Sequence, residues 1–198
     1  MFTAWLRKIT HRIVTPIAAA LARLGVPANT ITILGSVLTI IVAFLIALGH
    51  LRLGGVLLIG AASIDALDGA VARQVGRATK FGAFLDSVLD RVSESAVLLG
   101  LAWWYMGQPG QVEEILAYIA IVGSMLVSYA RARGEGIGVD CEVGLFTRVE
   151  RAILIIAALI LGLTTPALWI LAVGTMITAI HRIVHVYLQV RDMPLVNH

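Results

Sequence analysis

From Ala152 to Ile180 the chain carries no charged residue, and no other feature limits its fold as severely. The run is too long for one membrane-spanning helix, which needs about 17–25 apolar residues. It is also too apolar to cover a soluble domain. Thr164-Thr165-Pro166 supplies turn-forming residues within it, so two spans joined by a turn at that point are expected. The rest of the chain follows the same rule. Uncharged or nearly uncharged runs predict six spans, at residues 30–49, 54–73, 84–106, 112–132, 147–163 and 166–188. Hydrophobic residues (59%) and 19 glycines bring the apolar share to about 69%, against roughly 45–50% in a soluble domain. Only 14% of residues are charged, where about 25% is usual. A soluble globular enzyme, a disordered chain and a coiled coil are excluded. Cys141 is the only cysteine, so a disulfide scaffold is excluded too. The expected fold is an all-α integral membrane protein, one domain over residues 1–198.

Six spans put both termini on one side of the membrane. Fourteen of the fifteen Lys and Arg residues then fall on that side or at span ends facing it, and only Arg52 falls opposite. By the positive-inside rule that side is cytoplasmic. Residues 1–25 read as an amphipathic helix lying in the interface. Phe2, Trp5, Leu6, Ile9, Ile13 and Ile17 recur at three- and four-residue steps, with Arg7, Lys8, His11 and Arg12 between them. A signal peptide is the rival reading. Against it, Pro16 interrupts the apolar part and cleavage would remove the cytoplasmic anchor that the charge count requires. Trp103, Trp104 and Tyr105, near the far end of the third span, are expected to form an aromatic belt at the outer interface.

Four carboxylates contradict the apolar setting. Asp65 and Asp68 sit in the second predicted span, and Asp86 and Asp90 at the start of the third. Spacings of three and four put each pair on one helical face, so a helical hairpin could gather all four. Ionised carboxylates are costly in a membrane and repel one another, so something must neutralise them. Hard divalent cations bound by oxygen do this: Mg²⁺, with Mn²⁺ as the alternative, as two ions. The competing reading is a salt-bridge cluster with Arg73, Arg77, Lys80 and Arg91. The small residues Gly69, Ala70, Ala72, Gly76, Gly82 and Ala83 leave open space and argue against it.

The segment reads Asp65-Ala66-Leu67-Asp68-Gly69-Ala70-Val71-Ala72-Arg73, then eight residues, then Gly82-Ala83-Phe84-Leu85-Asp86-Ser87-Val88-Leu89-Asp90. It resembles, with every position filled, the D-x2-D-G-x2-A-R-x8-G-x3-D-x3-D motif of the CDP-alcohol phosphotransferases. The resemblance implies six spans, a cytoplasmic-facing site, an N-terminal interfacial helix and a homodimer. It also implies a reaction: an alcohol attacks the β-phosphorus of a CDP-linked lipid, CMP leaves, and a phosphodiester forms. Such a displacement needs its phosphoryl charge neutralised and its nucleophile deprotonated, tasks suited to metal ions and a carboxylate. By motif position Asp65, Asp68 and Asp86 look like metal ligands, and Asp90 like the general base that also touches a metal. Gly69 would let the nucleotide approach the backbone, and Arg73 would hold a phosphate oxygen. In relatives a polar cluster at the start of the first span contacts the nucleotide, matching Asn29, Thr30, Ile31 and Thr32, and Thr79 matches a further Ser/Thr position. For Asn29 a helix cap is the alternative role.

The acceptor alcohol is read from a second set of cations: Arg131 and Arg133, Arg148 and Arg151, and Arg182. Arg133 suits a solvated fringe. Arg182 lies within the last span and should face the bundle, and Arg148 and Arg151 share a helical face. Several guanidinium groups around one cavity suit a dianionic phosphate, which free serine or inositol lacks. A phosphorylated acceptor is therefore expected, either inositol 1-phosphate or glycerol 3-phosphate. The runs Ser128-Tyr129-Ala130-Arg131-Ala132-Arg133-Gly134-Glu135 and Arg148-Val149-Glu150-Arg151-Ala152, with His181-Arg182, look like those of actinobacterial phosphatidylinositol phosphate synthases and their archaeal relatives. That likeness implies inositol 1-phosphate as acceptor, CDP-diacylglycerol as donor, and Arg131, Arg148, Arg151 and Arg182 as the phosphate-binding residues. The actinobacterial pattern has Lys at the place of Arg131 and Pro at that of Val149. Phosphatidylglycerophosphate synthesis from glycerol 3-phosphate stays as the alternative within the class, and a divalent-cation transporter as the alternative outside it.

Glu94, one turn beyond Asp90, either lines the site or caps local charge. His185 reads as interfacial, and Cys141 asks for no function. Gly100, Ala102, Gly123 and Ser124 permit close helix packing, within one chain or between two.

Overall fold

The computed structural model describes residues 27–75, 79–109 and 112–191, without the side chains of residues 65–75. The expected interfacial helix at residues 1–25 lies outside the described residues. Six helices follow in order: α1 (Ala28–Ala47), α2 (Leu51–Val75), α3 (Lys80–Met106), α4 (Val112–Gly136), α5 (Arg148–Leu161) and α6 (Thr164–Val190). Among the described residues there is no strand. Each predicted span coincides with one helix to within a few residues. The helices α1, α4 and α6 are long and apolar enough to cross a membrane. By contrast, α5 has 14 residues, and at about 1.5 Å each it rises ~21 Å, short of the ~30 Å hydrocarbon core.

Packing closes the helices into a ring. The helix α1 packs on α2 and α3, α3 on α4, α4 on α6, α6 on α5, and α5 back on α2. At the middle sit Val42, Ile46, Leu98, Leu101, Leu159 and Leu171. Many large apolar side chains face outward instead, among them Phe44, Val56, Trp103 and Ile177. Such a surface suits lipid. The alternation of helix direction brings the start of α3, the end of α4, the start of α5 and the end of α6 to one end of the bundle. Both motif aspartates of α3 and Arg131, Arg148, Arg151 and Arg182 therefore share that end.

The turn in the long uncharged run is not where the sequence suggests. Thr164, Thr165 and Pro166 form the first turn of α6, where proline's missing N–H costs nothing. The reversal falls on Gly162 and Leu163. Gly162 ends α5 in the left-handed region at φ 74°, which glycine alone adopts without a Cβ penalty. The aromatic-belt expectation also needs correction. Trp103 faces outward, but Tyr105 is buried, and its hydroxyl pairs with Thr164 Oγ1 at 2.6 Å and Thr165 Oγ1 at 3.1 Å. A phenol this close to the start of α6 satisfies polar groups that lipid could not.

The small residues are used inside the chain. A Cβ on Gly100 would overlap the backbone carbonyl oxygen of Ala43, and one on Gly123 would overlap Thr175. These glycines thus bring α3 onto α1 and α4 onto α6. Since the Ala43 backbone cannot give way, Gly100→Ala is expected to destabilise the protein by about 1–3 kcal/mol. Gly60 has open space around it, so Gly60→Ala is expected to leave the midpoint unchanged or raised. Thermal unfolding of the two variants in detergent, side by side, checks both.

Candidate active site

The start of α3 is built around Thr79. Its Oγ1 accepts a hydrogen bond from the Gly82 amide at 2.9 Å, capping the helix. A Cβ on Gly82 would fall 2.9 Å from Asn29 Oδ1 and 3.0 Å from Thr79 Oγ1. The motif glycine therefore makes room for Asn29 of α1 and the Thr79 cap. Asn29 itself does not cap α1: Pro27 holds that position and Asn29 sits in the first turn. Thr30 is exposed, Ile31 is buried in the core, and Thr32 is buried with its hydroxyl on the Ala28 carbonyl at 3.1 Å. The buried Ile31 side chain belongs to the packing.

Asp65, Asp68, Gly69 and Arg73 lie on α2, their side chains outside the described residues. Asp86, Asp90 and Glu94 follow at steps of four on α3 and share one face. Asp90 Oδ2 pairs with Arg148 Nη1 at 2.6 Å. Arg91 donates to its own helix, at the Ser87 carbonyl. Among the described residues no group of three or more metal-ligating side chains closes on one point. The donors that are present still fit a hard cation: Asp86 and Asp90 offer oxygen from one helical face, half-buried.

A polar cavity of about 360 Å³ opens beside Asp90. Arg131, Arg148, Arg151 and Arg182 all line it, with Ser128 and Thr147. Arg133 is exposed and absent from the lining, as its fringe reading expects. The four arginines are not equivalent. Arg131 pairs with Glu135 at 2.7 Å and Glu142 at 3.0 Å on the open side. Arg151, 1% exposed, makes a two-point pair with Glu94, Nε to Oε1 at 2.5 Å and Nη2 to Oε2 at 2.7 Å. Its Nη1 donates to the Phe146 carbonyl at 2.9 Å. Arg182, 3% exposed, donates only to neutral carbonyls, Val143 at 2.9 Å and Val127 at 2.6 Å. A buried cation whose hydrogen bonds go to neutral carbonyls, with Glu135 acting on it only through space, invites an anion.

The sequence left Glu94 between lining the site and capping local charge, and it does both, on the cavity wall and against Arg151. The available signal was spacing: Asp90 and Glu94 four apart face Arg148 and Arg151 three apart, one turn against one turn. His185 braces the connection between α4 and α5, its Nε2 3.1 Å from the Asp140 carbonyl oxygen.

The sequence model of the CDP-alcohol phosphatidyltransferase family matches residues 26–181. The chain belongs to that family. It is a transferase and a multi-pass membrane protein, and the transporter alternative falls away. The chain is 38% identical over 185 residues to the phosphatidylinositol phosphate synthase of Mycobacteroides abscessus, covering 89% of this chain and 84% of that one. To the archaetidylinositol phosphate synthase of Pyrococcus horikoshii it is 36% identical over 182 residues, covering 90% and 94%. The crystal structure of Mycobacterium tuberculosis phosphatidylinositol phosphate synthase with CDP-DAG bound superposes with a TM-score of 0.85 at 34% identity, covering 89% of this chain and 94% of that one. A second structure of that enzyme, with manganese and citrate, gives 0.84 at 34% identity, covering 88% of both chains.

Proposed function

We propose that this CDP-alcohol phosphatidyltransferase moves the phosphatidyl group of CDP-diacylglycerol onto inositol 1-phosphate, giving phosphatidylinositol phosphate and CMP. The observation that carries the choice of a phosphorylated acceptor is Arg182, a buried cation held only by carbonyls on the wall of the polar cavity beside Asp90. The names of the similar enzymes support inositol phosphate in particular. In this reading Arg131, Arg148, Arg151 and Arg182 bind the acceptor phosphate. Asp90 takes the proton of the attacking hydroxyl while Arg148 holds its carboxylate through Oδ2. The hydroxyl oxygen bonds to the β-phosphorus, the pyrophosphate bond breaks, and CMP leaves. Asn29, Thr30, Ile31, Thr32, Gly69, Arg73 and Thr79 border the nucleotide, Ile31 by its backbone alone.

Asp65, Asp68, Asp86 and Asp90 would hold the metal, two Mg²⁺ ions in the fullest form, whose chemistry is to neutralise charge on the pyrophosphate. The manganese complex of the Mycobacterium tuberculosis enzyme supports a divalent ion. All six helices cross or enter the bilayer, with both termini and the cavity cytoplasmic, and the enzyme works as a homodimer. The charge asymmetry supports the orientation, and family resemblance the dimer.

The test is CMP release by purified protein in detergent with CDP-diacylglycerol, Mg²⁺ and one acceptor at a time. The acceptors are inositol 1-phosphate, glycerol 3-phosphate, free inositol and serine. Turnover with inositol 1-phosphate alone is expected, lost on EDTA addition and restored by Mg²⁺ or Mn²⁺. Turnover with glycerol 3-phosphate instead would move the proposal to phosphatidylglycerophosphate synthesis.

A further inference from the structure

A second cavity lies deeper in the bundle. It encloses about 100 Å³ between α1, α2, α3 and α5, with mainly apolar walls. Asp90, Glu94 and Arg148 line both cavities, so the boundary between them is made of charged groups. Their arrangement is a two-rung ladder. Asp90 to Arg148 is one rung, and Glu94 to Arg151 the other. The ladder joins α3 to α5, helices not adjacent in the ring.

We infer that Glu94 is a positioning residue for the acceptor side: by engaging one edge of Arg151 it fixes the first turn of α5, and so holds Arg148 between Asp90 and the acceptor phosphate. The inference rests on the acceptor reading proposed above. Its own observation is the geometry of Arg151. Three nitrogens are committed, two to Glu94 and one to the Phe146 carbonyl. That is a fork matched to a carboxylate, with a backbone tie into the connection before α5. The side chain is almost wholly buried, so its charge has to be met locally. Glu150 already feels Arg151 from the first turn of α5. Beside it, and without the Glu94 charge, the anions that could pull Arg151 toward the reacting groups are Asp90, one turn away on the same face, and the acceptor phosphate itself. Either would draw Arg151 out of place and disturb the Arg148 rung. Glu94 thus reserves Asp90 for Arg148. It does this without touching the reacting atoms.

The experiment is a comparison of wild type, Glu94→Gln and Glu94→Asp, full-length in detergent. Michaelis constants are taken separately for CDP-diacylglycerol and inositol 1-phosphate, and inorganic-phosphate binding is followed by thermal shift. Glu94→Gln keeps the size and loses the charge. It is expected to raise the acceptor KM about tenfold or more while leaving the lipid KM within about twofold, and to weaken phosphate binding in parallel. Glu94→Asp keeps the charge with a shorter reach and is expected to recover most of the acceptor KM. A residue that served stability alone would lower the unfolding temperature and leave the two constants in their original ratio, which overturns the inference. If Glu94→Gln does not fold, Glu94→Asp decides: its shorter reach is expected to leave the acceptor KM about two- to fivefold up with the lipid KM unchanged, and a lowered unfolding temperature with the two constants in their wild-type ratio overturns the inference. Wild type that turned over only unphosphorylated acceptors and bound no phosphate would remove the acceptor reading and this inference together. Wild type that uses a phosphorylated acceptor while Glu94→Gln keeps its KM removes the inference alone.

Discussion

Asp90→Asn is expected to lower CMP release by about 10²–10⁴-fold, the contribution typical of a positioned general base, while CDP-lipid binding survives. Asparagine has nearly the same shape and can still accept from Arg148 at the 2.6 Å position of Oδ2. What it lacks is the ability to take a proton, and it is a poorer ligand for a hard cation. Packing around α3 does not depend on the difference, because Asp90 sits on the cavity wall and outside the apolar core. Turnover with saturating substrates and binding of CDP-diacylglycerol should therefore separate. A variant retaining a tenth or more of wild-type turnover would falsify the base assignment.

Arg182→Gln carries the second large effect. Its guanidinium is buried and its two hydrogen bonds go to the Val127 and Val143 carbonyls, which tie α6 to α4 and to the connection before α5. If it supplies charge to the acceptor phosphate, its loss raises the acceptor KM by roughly 10- to 100-fold, the range for a hydrogen bond to a charged group. The lipid KM should scarcely move. Arg182→Lys controls for charge: lysine keeps the positive end but loses the planar fork that reaches two carbonyls at once. It is expected to fall between wild type and Arg182→Gln. Equal rises in both Michaelis constants would mean that Arg182 serves only to hold the helices together.

Much of this site could be read along the chain because the information is local. The steps from Asp65 to Asp68 and from Asp86 to Asp90 follow helical periodicity, which needs nothing beyond the backbone. The bunching of arginines at one end follows from charge and membrane alone. Other features depend on what meets what. Tyr105 had the composition of a belt residue, yet Thr164 and Thr165 lie close enough to hold its hydroxyl inside. For Asn29, read as a nucleotide contact with a helix cap as the alternative, the cap falls away because Pro27 occupies that position, and Gly82 brings α3 beneath its side chain. Gly100 and Gly123 suited packing of either kind, and their partners are within the chain.

Membrane class, the approximate limits of the six described helices, and the motif that marks the family were determined by the sequence alone. A bilayer tolerates charge only at the ends of spans or in a site that needs it, and each rule acts over one helix at a time. Only the tertiary structure decided how the four arginines of the cavity divide. Arg151 meets Glu94 across 57 positions of chain. Arg148 meets Asp90, Arg131 meets Glu135 and Glu142, and Arg182 meets carbonyls alone. Periodicity sets the face on which a charge stands, but the partner it meets depends on how the ring of helices closes.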